Sequence, residues 1–161
     1  MIILGIDPGT ASTGFGVIEK QGKELRCLDY GIIATQAGVA PEKRLAILQL
    51  QLNRVLGQYK PDIMVVESLF FFKNLKTVMP VSEAKGVIML CAAKKKIGVV
   101  QLTPLQVKMA ICQYGRAEKK QIQRMVKEML NLKELPKPDD AADGLALALS
   151  WTFMKKPAEE N

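Results

Sequence analysis

Four acids stand out by their surroundings. Asp7 closes the apolar run Ile2-Ile3-Leu4-Gly5-Ile6, and Glu67 closes Ile63-Met64-Val65-Val66. A lone acid at the end of a buried strand is costly unless it is paired or binds a cation. Asp140 and Asp143 are spaced three apart at the start of a helical pattern, so they share one face. Their neighbours, Ala141-Ala142 and Gly144-Leu145-Ala146, are small enough for that helix to lie close to a sheet. If the strands ending in Asp7 and Glu67 are parallel neighbours, their ends lie about 4.8 Å apart. All four acids then reach one pocket at the strand ends, where open α/β sheets bind ligands. Clustered carboxylates repel one another and hold on to protons, and a hard divalent cation removes that penalty. An all-oxygen donor set suits Mg²⁺ or Mn²⁺. Two such ions about 4 Å apart form the clamp used for in-line displacement at phosphate.

Each acid also has an ordinary reading. Asp7 before Pro8-Gly9 can be a turn residue. One of Asp139 and Asp140 can cap the following helix, a role the sequence gives to Asp139. Neither role explains an acid after Ile-Met-Val-Val, so Glu67 makes the set of four more specific than any member.

What the chain lacks narrows its chemistry. It has 161 residues and no histidine, which excludes Ser-His-Asp and Cys-His catalysis and imidazole-based zinc sites. Cys27, Cys91 and Cys112 are scattered and never spaced as CxxC; they read as apolar residues in a reducing compartment. No basic leader and no apolar run of about 20 residues is present, so a cytoplasmic protein with no membrane association is expected. With 23 basic and 16 acidic residues the net charge is +7, which favours a polyanionic partner. A hydrophobic fraction of 48% supports one packed domain, expected over 1–154, with 155–161 a disordered tail.

The elements that must position the acids follow from periodicity. Met1–Ile6, Gly14–Glu19 and Leu25–Thr35 read as strands, with a turn at Gln21-Gly22-Lys23. Short links between them predict an antiparallel meander. Leu45, Leu48, Leu52, Val55 and Leu56 recur at helical spacing. A strand over Asp62–Glu67, a helix over Val81–Lys96 and a strand over Ile97–Leu102 come next. Thr103-Pro104 caps a further helix. A helix over Ala117–Leu130 turns Ile122, Met125, Val126 and Met129 inward and sets Lys120, Arg124 and Lys127 as a basic stripe. The last helix runs from near Asp139 to Trp151. This order gives an α/β protein: a five-stranded mixed sheet with helices on both faces.

Four motifs together resemble one family. They are Gly5-Ile6-Asp7-Pro8-Gly9-Thr10 with Gly14-Phe15-Gly16; Val66-Glu67 leading to Phe70; Arg116-Ala117-Glu118-Lys119-Lys120-Gln121; and Asp140-Ala141-Ala142-Asp143-Gly144-Leu145-Ala146. In order and spacing, from residue 2 to about 150, they resemble the RuvC Holliday junction resolvases. Sugar kinases and actin-like ATPases share the Asp-x-Gly-Thr opening, but this chain is too short for their paired domains. The family's glycine-x-glycine turn is replaced here by Gln113-Tyr114-Gly115.

The resemblance implies an RNase H-like fold and a structure-specific endonuclease that resolves four-way DNA junctions in recombination and repair. It makes Asp7, Glu67, Asp140 and Asp143 the catalytic and metal-binding acids, with two Mg²⁺ per site and Mn²⁺ as a substitute. It places Phe70 against an unpaired base at the junction centre, where stacking is worth roughly 1–3 kcal/mol. Lys108 and Lys119 match DNA-contacting positions, and Arg116, Lys120 and Arg124 extend the same basic surface. A junction is nearly two-fold symmetric, so symmetric nicks imply a homodimer; apolar residues of the Val81–Cys91 helix are candidates for its interface. The RuvA–RuvB branch-migration complex is the implied partner. Two alternatives are an RNase H-fold nuclease acting on RNA precursors and a non-catalytic junction-binding module. The presence of all four acids opposes the second.

Overall fold

The computed structural model describes residues 1–9, 11–36, 38–68 and 75–154, with 75–77 by their backbone alone. Thr10, the Leu69–Phe72 stretch with Phe70, and the expected tail 155–161 lie outside the described residues.

The chain opens with the expected meander: β1 (Ile2–Asp7), β2 (Ser12–Gln21) and β3 (Glu24–Ala34), paired antiparallel. Then come α1 (Pro41–Tyr59), β4 (Ile63–Glu67), α2 (Leu75–Lys94) and β5 (Gly98–Leu102). The described residues end with α3 (Pro104–Cys112), α4 (Lys119–Met129) and α5 (Asp139–Phe153). The sheet order is β3-β2-β1-β4-β5, with β1, β4 and β5 parallel. Central strands β1 and β4 are apolar up to their closing acids, Asp7 and Glu67, as strands covered on both faces require. Ile6 pairs with Val66, so the next residues, Asp7 and Glu67, leave adjacent strands side by side.

Alternation along the strands divides the core. Leu4 and Ile6 of β1, with Met64 and Val66 of β4, face α1 and α2, meeting Leu48, Leu52, Leu56, Ala84, Ile88 and Cys91. Ile3 and Val65 face the other way, with Ile18, toward α3, α4 and α5, meeting Val107, Ile111, Val126, Leu145 and Leu149. The α2 residues offered as a subunit interface are therefore largely core: Ala84, Ile88 and Cys91 are buried against the sheet. Their spacing of four and three points one helix face at β1 and β4. Among the described side chains of α2, Met79 and Leu90 are the large apolar ones left exposed.

Strand and helix ends shift by one or two residues from the sequence reading; two helix starts and one cap differ in instructive ways. α2 begins at Leu75, not Val81: the helix runs through Pro80, which forgoes the bond to the carbonyl four residues earlier and crowds that carbonyl. α4 begins at Lys119, not Ala117: Glu118 is its N-cap, and the Gln121 side chain accepts from the Glu118 N–H in a capping box. Residue 138, a proline, occupies the N-cap of α5, so Asp139 lies inside the first turn and makes no cap bond. Its carboxylate is drawn to α4, as described below. The Thr103-Pro104 start of α3 is as expected, with Thr103 Oγ1 accepting from Gln106 N–H at 3.1 Å.

One contact sets the geometry of the site. α5 lies directly on β1 and β2, with glycines on both sides of the contact. A Cβ added at Gly5 would strike the Gly144 carbonyl, one at Gly14 the Asp140 carbonyl, and one at Gly16 the Leu145 backbone. A Cβ at Gly144 would come within 2.5–2.7 Å of the Phe15 and Gly16 backbone. Gly144→Ala ordinarily stabilises a helix interior by about 1 kcal/mol. Here the sign reverses, because backbone on both sides cannot yield: a loss of about 1–3 kcal/mol is expected from urea unfolding. A neutral or stabilising result would show that α5 does not rest on the sheet this closely.

Candidate metal centre

Asp7 ends β1, Glu67 ends β4, and Asp140 and Asp143 occupy the first turns of α5. All four are half-buried. Carboxylate oxygens of Asp7, Asp140 and Asp143 lie within 4.8 Å of one another. Glu67 joins them through a hydrogen bond with Asp7 and the repulsive field of Asp143. The Ser12 hydroxyl donates to Asp140 Oδ2 at 2.5 Å and fixes that carboxylate over the start of β2.

The electrostatics are those of acids crowded without a cation. Burial, then the charges of Glu67, Asp143 and Asp140, push the Asp7 carboxyl up to about 8. Burial and Asp143 also raise Glu67, with the Asp7 hydrogen bond acting in the opposite direction. Burial raises Asp143 despite the Lys119 ammonium beside it. An oxygen-only cage of this charge fits hard divalent ions such as Mg²⁺ and Mn²⁺ and has nothing to offer a soft metal.

Lys119 is exposed, yet its amine reaches back to the acids. Its Nζ lies 2.8 Å from Asp143 Oδ2 and 3.6 Å from Asp139 Oδ2. Burial disfavours its charge, but the bond to Asp143 and the fields of Asp143, Asp139 and Asp140 outweigh that and raise its pKa. Asp139 is held in turn by Gln123, whose Nε2 donates to Asp139 Oδ1 at 2.9 Å. From the other face of the sheet, Lys85 adds a positive field toward Glu67 while its amine donates to Gln101 at 2.6 Å.

A cleft of about 180 Å³ opens beside the acids, lined by Glu67, Val107, Lys108, Lys119, Ile122 and Asp143. Lys108 is therefore on its wall, half-buried, while Arg116, Lys120 and Arg124 are exposed. Lys127, in the same stripe, is half-buried. Phe70 lies outside the described residues. A larger cleft, about 280 Å³, between α1, α2 and β2 has none of the four acids on its walls and is not a candidate for their chemistry.

The sequence reading missed Ser12, Gln123 and Lys85 as supports. Gln123 had a signal: it is a polar residue beside Ile122 on the inward face of α4, and it is 9% exposed. Ser12 had none, since only the fold brings it across 128 residues to Asp140.

Strand order 3-2-1-4-5 with acids at the ends of two adjacent parallel strands and on the covering helix is an RNase H-like nuclease arrangement. Residues 3–151 match the family described as crossover junction endodeoxyribonuclease RuvC. A crossover junction endodeoxyribonuclease RuvC from Halothermothrix orenii is 49% identical over 149 residues, covering 92% of this chain and 90% of that one. The chain belongs to the RuvC family. The Thermus thermophilus RuvC structure superposes with a TM-score of 0.88 at 32% identity, over 95% of this chain and 94% of that one. T. thermophilus RuvC in complex with Holliday junction substrate gives 0.89 at 32% identity, over 95% and 93%. The yeast mitochondrial Holliday junction resolvase Ydc2 shares the fold alone, with a TM-score of 0.67 and 16% identity over 92% of this chain and 76% of that one. Among the described residues no helix is long and apolar enough to cross a membrane.

The raised carboxyls carry a sign for stability. Asp7 titrates near 3.8 when exposed and at about 8 in the cluster. Between those values the folded chain binds more protons than the unfolded one, so folding is favoured below the window and loses stability as pH rises through it. Without divalent cations, Asp7→Asn is expected to raise Tm above the unmodified chain at pH 8, by roughly 2–4 °C or more, and to make little difference at pH 4. Thermal unfolding in chelator checks this; a lower Tm at pH 8 would mean Asp7 is not under repulsion.

Proposed function

We propose that this chain is a divalent-cation-dependent endonuclease that resolves four-way DNA junctions by paired symmetric nicks. The observation that carries the reading is the convergence of Asp7, Glu67, Asp140 and Asp143 at the strand ends, beside a lysine-walled cleft, in a chain of the RuvC family.

In this reading the four carboxylates hold Mg²⁺, with Mn²⁺ as a substitute, two ions to a site. When bound, the ions supply Lewis acidity at phosphate: a more acidic attacking water and compensation of the charge on the departing 3′ oxygen. The protein's own part is to keep the acids in register. The glycine contact fixes the height of α5, Ser12 orients Asp140, and the Asp7 hydrogen bond, with a weaker field from Lys85, favours the ionised form of Glu67. Lys108, Arg116, Lys119, Lys120 and Arg124 bind the phosphates flanking the cut, and Phe70 stacks on an exposed base. Phosphate contacts of this number make binding fall steeply with salt. The chain has no histidine, so no imidazole relays protons here.

Residues 1–154 act as one nuclease domain in the cytoplasm. Two copies form a two-fold homodimer that presents one acid cluster to each of two opposed strands. The RuvA–RuvB branch-migration complex is the partner proposed on family grounds.

The test is a labelled immobile four-way junction incubated with the protein, with and without Mg²⁺. Paired nicks on opposed strands are expected only with the ion, and linear duplex DNA and an RNA hairpin remain uncut. Asp7→Asn retains junction binding in gel shift and loses cleavage by roughly 100-fold or more, ~2.7 kcal/mol of barrier. Cutting of the RNA hairpin, or full cleavage by that variant, would overturn the assignment. Because protons compete for the carboxylates, Mn²⁺ affinity measured by calorimetry is expected to weaken as pH falls from 8 to 6; a flat response would count against an all-carboxylate site.

A further inference from the structure

The Lys119 ammonium, 2.8 Å from Asp143 Oδ2, already supplies a positive charge to the acid cluster. A divalent ion held by Asp143 cannot share that oxygen's surroundings with an ammonium so close, since the two cations repel and compete for the same lone pairs. Lys119 must then give up part of that contact. The structure provides one further acceptor within ion-pair reach among the described residues: Asp139 Oδ2, at 3.6 Å. Moving from one acid to the other takes about an ångström of travel at the end of a long side chain. Asp139 is suited to receive it. Its other oxygen, Oδ1, is tied to the buried Gln123 amide, which leaves Oδ2 for Lys119. Lys119 and Gln123 are one turn apart on α4, so a single helix face both presents the amine and anchors its acceptor. Asp139 is mostly exposed, its side chain 65% accessible, and points toward α4 and not into the cage, which sets it apart from the four clustered acids.

We propose that Asp139 is a positioning residue for Lys119: it takes the ammonium when Asp143 takes up a divalent ion, so that Lys119 alternates between the two carboxylates as the site empties and fills. In the empty site Lys119 neutralises part of the cluster. In the filled site Asp139 keeps the amine at the rim of the cleft and away from the ions. This inference rests on the metal-binding reading above.

The test uses the full chain without DNA and reads Mn²⁺ dissociation constants by isothermal titration calorimetry at pH 8. Four proteins are compared: unmodified, Asp139→Asn, Lys119→Met and the double variant. Asparagine keeps an oxygen for Gln123, so α5 and α4 stay joined. Lys119→Met alone is expected to tighten Mn²⁺ binding by removing the competing cation. Asp139→Asn is expected to weaken it roughly 3- to 10-fold when Lys119 is present and by less than about 2-fold when position 119 is methionine. Equal losses in both backgrounds would show Asp139 acting only as a nearby negative charge and would overturn the proposal, as would Lys119→Met failing to tighten binding. Absence of Mn²⁺ binding by the unmodified chain is a separate result: it refutes the metal reading, and this proposal with it.

Discussion

Four carboxyl groups resist being gathered. They repel one another, and each loses hydration as the fold closes over it. Something stiffer than a side chain must hold them, and here it is main chain pressed on main chain. α5 rests on β1 and β2 with Gly5, Gly14, Gly16 and Gly144 at the contact, and no side-chain layer separates them. Asp140 and Asp143 ride on that helix, and Asp7 is two residues beyond Gly5 on the strand beneath. A helix held a full side-chain layer higher would carry both aspartates out of reach of Asp7. The apolar remainder of α5, from Leu145 to Leu149, is buried and supplies the attraction that keeps the contact closed against the repulsion.

The chain's own groups respond to the crowding by graded compensation. Asp7 answers the crowding by keeping its proton, Asp143 by pairing with Lys119, and Asp140 by accepting the Ser12 hydroxyl. Three acids of the same chemistry thus meet the same repulsion in three ways, according to what the fold places beside each. The cost is plainest at Asp7, whose carboxyl is raised to about 8, so the contribution of its protonated form to stability is lost as pH rises through that value.

Much of this was legible before the fold was known. Apolar runs that end in an acid, as at Ile6-Asp7 and Val66-Glu67, mark strand and site at once, because burial of the run leaves the acid no harmless place. Small residues around Asp143 announced a close-packed helix. The meander and the change to parallel strands followed from the lengths of the links. What stayed hidden depends on contacts between distant segments. Asp139 looked like a cap because its type and position suit one, yet Gln123 and Lys119 draw it elsewhere. Lys119 was offered as a DNA contact by resemblance, and nothing local reveals that α4 also aims it at Asp143 of α5. The start of α2 at Leu75, ahead of Pro80, was not read from the sequence. Whether the apolar residues of α2 serve core or a subunit interface was open in the sequence, since periodicity tells which residues share a face but not what meets them; Ala84, Ile88 and Cys91 meet the chain's own sheet.

The cage draws on residues near both ends of the polypeptide: its first carboxylate comes from the opening strand and its last two from the final helix. During synthesis the strand emerges more than 130 residues before the helix that must close on it. A nascent or prematurely terminated chain therefore holds at most half of the acids and lacks the helix that covers β1 and β2. The four acids come together only once α5 has been made, so a fragment that stops short of that helix carries Asp7 and Glu67 with no Asp140 or Asp143 to face them.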